Sequence, residues 1–221
     1  LFWKQTDIVK LKIGNPGINY SSLNRELRDS GKFTTIEVIQ EEKQIVRRCD
    51  KINDVEHINL KEKHLEKFSL NLNNEQYRAY LSLAGRSGIG ILEGYAGTGK
   101  SHVLEALKKA YEAKGTTVRG LGPDNATANL LKEKGFFNAE NVPRFLYAQE
   151  HGHREINKKE VWIVDEAGKL GNQALNELCR IAHANKAKLV LAGDSAQMPS
   201  VDRGGMFQAL AEKYNASKLH H

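Results

Sequence analysis

Cysteine is scarce: Cys49 and Cys179 are the only two in 221 residues, and neither has a second cysteine near it in sequence. That scarcity argues against a disulfide framework and a structural zinc site, and it makes a reducing cytosol the simpler expectation. No apolar stretch approaches the roughly 20 residues that a membrane-spanning helix needs. There is no acidic excess either. Lys and Arg number 33 against 27 Asp and Glu, a formal charge of +6. A basic balance suits a polyanionic partner such as DNA, but a moderately basic enzyme has the same balance, so charge leaves both open. The opening Leu1-Phe2-Trp3-Lys4 lacks an initiator Met and a basic n-region, and so reads as part of a longer chain rather than a signal peptide. What remains, 40% hydrophobic and 27% charged without repeats or low-complexity tracts, is the composition of one globular domain with a smaller appendage.

Residues 1–70 read as that appendage: a small, mainly helical module, winged-helix-like or merely a linker. Ile8, Val9, Leu11 and Ile13 fit a short strand or a helix, and Asn15-Pro16-Gly17 breaks it. Ser21 and Ser22 can cap a short helix holding Leu23 and Leu27, closed by Gly31. Thr34 and Glu37 have capping-box spacing, predicting a helix to about Cys49 with Ile36, Ile39, Val46 and Cys49 near one face. From residue 71 to 215 the alternation is clearer. Helices are predicted over 75–83, 100–114, 126–134 and 172–185, and strands over 89–92, 117–121, 161–164 and 188–192. Strands separated by helices imply βαβ units, hence an α/β fold with a mostly parallel sheet covered by helices. The ending Lys218-Leu219-His220-His221 looks like a tag remnant, and 216–221 is expected to lie outside the fold.

Between a predicted strand and a predicted helix lies Gly94-Tyr95-Ala96-Gly97-Thr98-Gly99-Lys100-Ser101, which fits G-x-x-x-x-G-K-[ST]. Glycines let the backbone wrap phosphates, and amides at the new helix N-terminus point at the anion. Lys100 would meet the β- and γ-phosphates and Ser101 would offer its hydroxyl to Mg²⁺. The strand Val161-Trp162-Ile163-Val164 then delivers Asp165 and Glu166 to its carboxyl end, where open α/β sheets bind ligands. Asp165 would hold the metal and Glu166 would polarise the attacking water. In Leu191–Pro199, the amide of Gln197 can bridge the γ-phosphate to a neighbouring surface, although the segment alone is also an ordinary polar turn. Gln76, ahead of the first strand, can read adenine by two hydrogen bonds; alone it reads as a surface residue.

These four elements, in this order, resemble the first motor domain of superfamily-one DNA helicases of the RecD-like branch. Within that branch they resemble the helicase part of Ti-plasmid-type conjugative relaxases, the TraA family. The stretches that carry the resemblance are Gly94–Ser101, Val161–Gly171, and Leu189–Pro199 with Gly204-Gly205-Met206-Phe207 after it. The segment from Phe33 is similar to the one that joins relaxase to helicase in that family. The resemblance implies a RecA-like P-loop NTPase fold that uses ATP and Mg²⁺ and translocates on single-stranded DNA during plasmid transfer. It implies that Gln76 reads adenine, that Gly94, Gly97, Thr98, Gly99, Lys100 and Ser101 hold the nucleotide, and that Ser101 and Asp165 hold Mg²⁺. Lys100, Glu166 and Gln197 would be catalytic. A second RecA-like domain and a relaxase domain are expected elsewhere in a longer protein, so turnover by this part alone should be slow.

Two departures from the family pattern concern DNA. Gly122-Pro123-Asp124-Asn125-Ala126-Thr127 stands where relatives carry Pro-Thr-Gly and a basic residue, and Asp124 would repel phosphate. Pro123, Asn125 and Thr127 remain candidate DNA contacts. Arg144-Phe145 stands where relatives often carry Arg-Thr; Arg144 is a candidate contact to DNA or to the second domain, and is equally an ordinary surface arginine. His151-Gly152-His153 reads as a solvated loop rather than a metal cluster. Two alternatives stay open: a RecD-like repair helicase, or a non-catalytic nucleotide-binding module that docks a partner through the charged helix around Glu41–Arg48.

Overall fold

A computed structural model describes residues 8–11, 32–153, 155–195 and 205–220. Two short strands open it, β1 (Ile8–Leu11) and β2 (Lys32–Thr35), paired antiparallel with Ile8 opposite Thr35. Helix α1 follows (Ile36–Asn53), then a single turn α2 (Glu62–Leu65) continued by a short 3₁₀ turn, then α3 (Asn74–Leu83). The P-loop sits between β3 (Ile89–Gly94) and α4 (Lys100–Glu112). Next come β4 (Val118–Gly122), α5 (Asn125–Glu133), β5 (Glu140–Asn141) and α6 (Val142–Glu150). The chain closes with β6 (Val161–Val164), α7 (Asn172–Ala184), β7 (Lys188–Gly193), α8 (Met206–Lys213) and β8 (Ser217–Leu219).

Strands β3 to β8 form one sheet in the order β5-β4-β6-β7-β3-β8, every pair parallel. Its central strands are apolar at nearly every position because helices cover both faces. Side chains alternate between the two: Ile89, Ile91, Trp162, Val164, Leu189 and Leu191 join one core with α1, α7 and α8, while Leu92, Ile163, Val190 and Ala192 join the other with α3 and α4. The alternation explains why runs such as Val161-Trp162-Ile163-Val164 carry no polar residue. This is the RecA-like P-loop architecture that the resemblance implies.

Several expectations for the ends of the chain need correction. Residues 216–221 were expected outside the fold, but Ser217–Leu219 is the edge strand β8, with Leu219 buried in the core and paired opposite Gly94. Thr34 does not cap α1: it lies in β2, and the N-cap is Thr35, with no side-chain hydrogen bond. Extended pairing with β1 delays the helix by one residue. The helix also runs one turn past Cys49, and Ile45, Cys49 and Ile52 are buried against Leu175, Leu178, Cys179 and Ala182. So α1 belongs to the core of the sheet domain rather than to a separate module, and residue 70 is not a boundary in the packing. The two thiols are free, their Sγ atoms 3.6 Å apart. The short helix expected after Ser21-Ser22 lies outside the described residues. Among the described residues no helix is long and apolar enough to cross a membrane.

Candidate nucleotide site

The loop after β3 turns through two left-handed glycines, Gly97 (φ +87°) and Gly99 (φ +86°), before α4 begins at Lys100. A side chain at Gly94 would come within 2.6 Å of Thr98 Oγ1, so the strand end needs glycine there. Thr98 Oγ1 donates to the Tyr95 carbonyl at 2.9 Å and closes the loop on itself. Lys100 Nζ donates to the carbonyls of Gly94 and Tyr95, at 2.5 and 2.9 Å.

Gln76 stands at the start of α3, where it and Asn73 form a reciprocal capping box. Its Nε2 donates to the Thr98 carbonyl at 3.2 Å, and a side chain at Gly99 would strike that nitrogen. Gln76 is thus buried and ties α3 to the phosphate loop, rather than lying on the surface.

Asp165 and Glu166 follow β6 directly, one strand removed from β3. Asp165 N donates to the Leu121 carbonyl, which continues the β4–β6 pairing. Its carboxylate accepts from Glu166 N at 2.9 Å. Burial raises the Asp165 pKa, against the pull of that hydrogen bond and of the Lys134 and Lys100 charges. Glu166 adopts a left-handed backbone (φ +52°), a conformation that costs a non-glycine residue on the order of 1–3 kcal/mol and is concentrated at functional sites. Its Oε2 accepts from Thr127 Oγ1 at 3.1 Å and from Lys169 Nζ at 2.5 Å. Lys169 lies on the one-turn 3₁₀ helix Ala167–Lys169.

Tyr95–Gly97, Gly99–His102, Thr127, Leu130, Lys134, Asp165, Glu166, Gly193 and Asp194 line one cavity of about 380 Å³, within the usual range for small-molecule sites. Left-handed glycines, helix-start amides, a hydroxyl and a half-buried carboxylate make a donor set that fits a Mg-nucleotide. Among the described residues no cluster of three or more His, Cys, Asp or Glu could hold a metal alone. Magnesium suits such a site because it takes one or two protein ligands and completes its shell with phosphate and water.

Sequence reasoning missed two cations here. Lys134 and Lys169 belong to no motif spacing; only their placement opposite Ser101 and Glu166 gives them meaning. Thr127, expected as a DNA contact, is corrected: it is buried and its hydroxyl faces Glu166. Asp124 is the N-cap of α5 and accepts from Thr127 N at 2.8 Å, a bond that holds its carboxyl below the usual range. Asn125 and Arg144 instead meet at a second cleft, of about 300 Å³, with Lys132, Asn141 and the exposed Phe137. Pro123 is half-buried beside the end of β4. Tyr147 stacks on His151 at 4.0 Å on the exposed end of α6. Gln197 falls outside the described residues.

The AAA domain family model matches residues 71–221. "Probable conjugal transfer protein TraA" of Sinorhizobium fredii is 27% identical over 196 residues, covering 87% of this chain and 18% of that protein. The ATP-dependent RecD2 DNA helicase of Deinococcus radiodurans is 32% identical over 152 residues, 67% of this chain and 21% of that protein. The chain therefore spans about a fifth of the length of these two relatives. The Pif1 helicase from Candida albicans superposes with a TM-score of 0.46 at 23% identity, over 69% of this chain and 40% of that one.

Proposed function

The chain belongs to the AAA domain family, and from that premise we propose that it is the ATP-hydrolysing first motor domain of a conjugative relaxase-helicase. In this reading ATP turnover drives movement along single-stranded DNA in the bacterial cytoplasm, with a second RecA-like domain and a relaxase domain in the longer protein. The observation that carries it is one cavity shared by the P-loop and by Asp165 and Glu166, two segments far apart in sequence.

Lys100 and the amides of the loop would bind the triphosphate, and Gln76 would meet the adenine side of the loop that it braces. Ser101 and Asp165 would hold Mg²⁺, which when bound neutralises charge on the β- and γ-phosphate oxygens. Glu166 Oε2 would accept the proton of the attacking water, once free of Thr127 and Lys169. Gln197, beyond β7, would relay the state of the γ-phosphate. Asn125 and Arg144, lining the second cleft, would contact DNA.

The test is nucleotide binding and steady-state ATP hydrolysis with and without single-stranded DNA. Lys100→Ala is expected to abolish binding. Glu166→Gln is expected to bind as the parent does while turnover falls by roughly 10²–10⁴, the usual contribution of a general base. A Glu166→Gln protein that hydrolyses at the parental rate would remove Glu166 from the role. Binding without turnover in the parent, with the other RecA-like domain supplied, would favour the docking module.

A further inference from the structure

Helix α5 lays one face along the nucleotide cavity: Thr127, Leu130 and Lys134, at i, i+3 and i+7, all line it. Lys134 is the C-cap of that helix, and the next two residues hold it in place. Gly135 is left-handed (φ +83°), its amide donates to the Lys132 carbonyl at 2.9 Å, and Phe136 N donates to the Leu131 carbonyl at 3.0 Å. These are the paired bonds of a Schellman stop, completed by burial of both Leu131 and Phe136 in the same core. The Lys134 backbone is therefore fixed, and its half-buried side chain crosses the cavity to donate from Nζ to Ser101 Oγ at 2.6 Å. Its charge also pulls on Asp165, ahead of that of Lys100.

Lys134 thus occupies one of the two groups that would hold the metal, Ser101, and brings its charge to bear on the other, Asp165. A hydroxyl oxygen has two acceptor lone pairs, and an ammonium so close to it opposes a dication on the same oxygen by like-charge repulsion. We propose that Lys134 is a built-in counter-cation that competes with the divalent metal for Ser101 and Asp165, and so sets the Mg²⁺ concentration at which the site takes nucleotide. Without metal it compensates the half-buried carboxylate and holds the Ser101 hydroxyl; metal entry requires the ammonium to withdraw. The proposal rests on the nucleotide-site reading of this cavity.

The experiment measures the affinity of the whole chain for a fluorescent ADP analogue in EDTA and across a Mg²⁺ series, for the parent, Lys134→Met, Lys134→Arg and Lys100→Ala. Lys134→Met is expected to lower the half-saturating Mg²⁺ about tenfold, within the usual span of coupling between two sites. Its affinity in EDTA should stay at the parental value. Lys134→Arg, which keeps the cation, is expected to stay near the parent. Should Lys134→Met misfold by circular dichroism, Lys134→Gln takes its place under the same expectation. An unchanged half-saturating Mg²⁺ in the neutral variant overturns the proposal. So does a loss of affinity in EDTA, which would make Lys134 a phosphate ligand. In either case, binding by the parent and its loss in Lys100→Ala would leave the nucleotide-site reading standing. A parent that binds no analogue under any condition removes both.

Discussion

Asp165 is an acid whose surroundings oppose its charge. Burial raises its pKa above the ordinary carboxylate value, and the hydrogen bond from Glu166 N with the nearby lysines only partly offsets that. The folded state then binds a proton more tightly than the unfolded chain does. The resulting stability is present in full below the unfolded pKa, near 4, and is lost as pH rises through the folded value. At neutral pH the ionised carboxylate is therefore a cost to the fold. Asp165→Asn keeps an oxygen to accept from Glu166 N and removes that cost. Without nucleotide or Mg²⁺, its melting temperature should exceed the parent's at pH 8, and the gain should shrink as pH falls towards 4, the ordinary carboxylate range. A gain that is the same at both values would assign the effect to packing instead. The strained Glu166 backbone next to it points the same way: both acids are held where chemistry would use them and not where stability favours them.

At the scale of elements, β4, β5 and the approach to β6 are joined by charges that lie inside the fold. Arg119 reaches Glu160 with contacts of 3.1–3.2 Å and Glu140 at 3.5 Å, while Glu160 also accepts from Trp162 Nε1 at 2.9 Å and Asn157 N at 3.0 Å. The guanidinium sits 5.5 Å from the Phe145 ring centroid. Removing one partner of a buried pair strands the other charge, so Arg119→Met should cost about 3–5 kcal/mol in urea unfolding. Arg119→Met combined with Glu160→Gln should recover part of the loss; a double variant that is worse than the single would sink this account.

The tie was illegible in the sequence, where Arg119 was one residue of a short strand and its partners lie beyond α5 and α6. The same limit hid β5 and β8, whose two and three residues are too short for any period to register. Their pairing is set by neighbours: β8 exists because β3 leaves an edge and Leu219 fills the space beside Gly94. By contrast, the central strands were legible because burial on both faces demands unbroken apolar runs. The phosphate loop was legible because its chemistry fixes a spacing. Lys134 obeys no spacing, since a long flexible side chain can reach Ser101 from many positions in sequence.

For the whole molecule, the family match begins at residue 71, whereas the packing begins earlier. Ile45, Cys49 and Ile52 are at most 1% exposed, seated on α7. Around them Arg48 Nη1 donates to the Asn176 carbonyl at 2.7 Å, and Tyr214 Oη donates to Asp50 Oδ1 at 2.6 Å, which ties α1 to the end of α8 as well. Burying each such aliphatic side chain is worth about 1.5–3 kcal/mol before the cost of ordering the helix. For Ile45 and Ile52 together that is about 3–6 kcal/mol, a large share of the net stability of an ordinary domain, about 5–15 kcal/mol. A chain of residues 71–221 should therefore expose the α7 face, melt well below the parent or aggregate, and bind a dye for apolar surface. A chain beginning at Lys32, which keeps α1, should melt close to the parent. Equal melting temperatures for all three would make α1 a passenger on a domain complete without it. A loss confined to the shorter chain would make α1 a structural part of the domain whose sheet holds Asp165 and the phosphate loop.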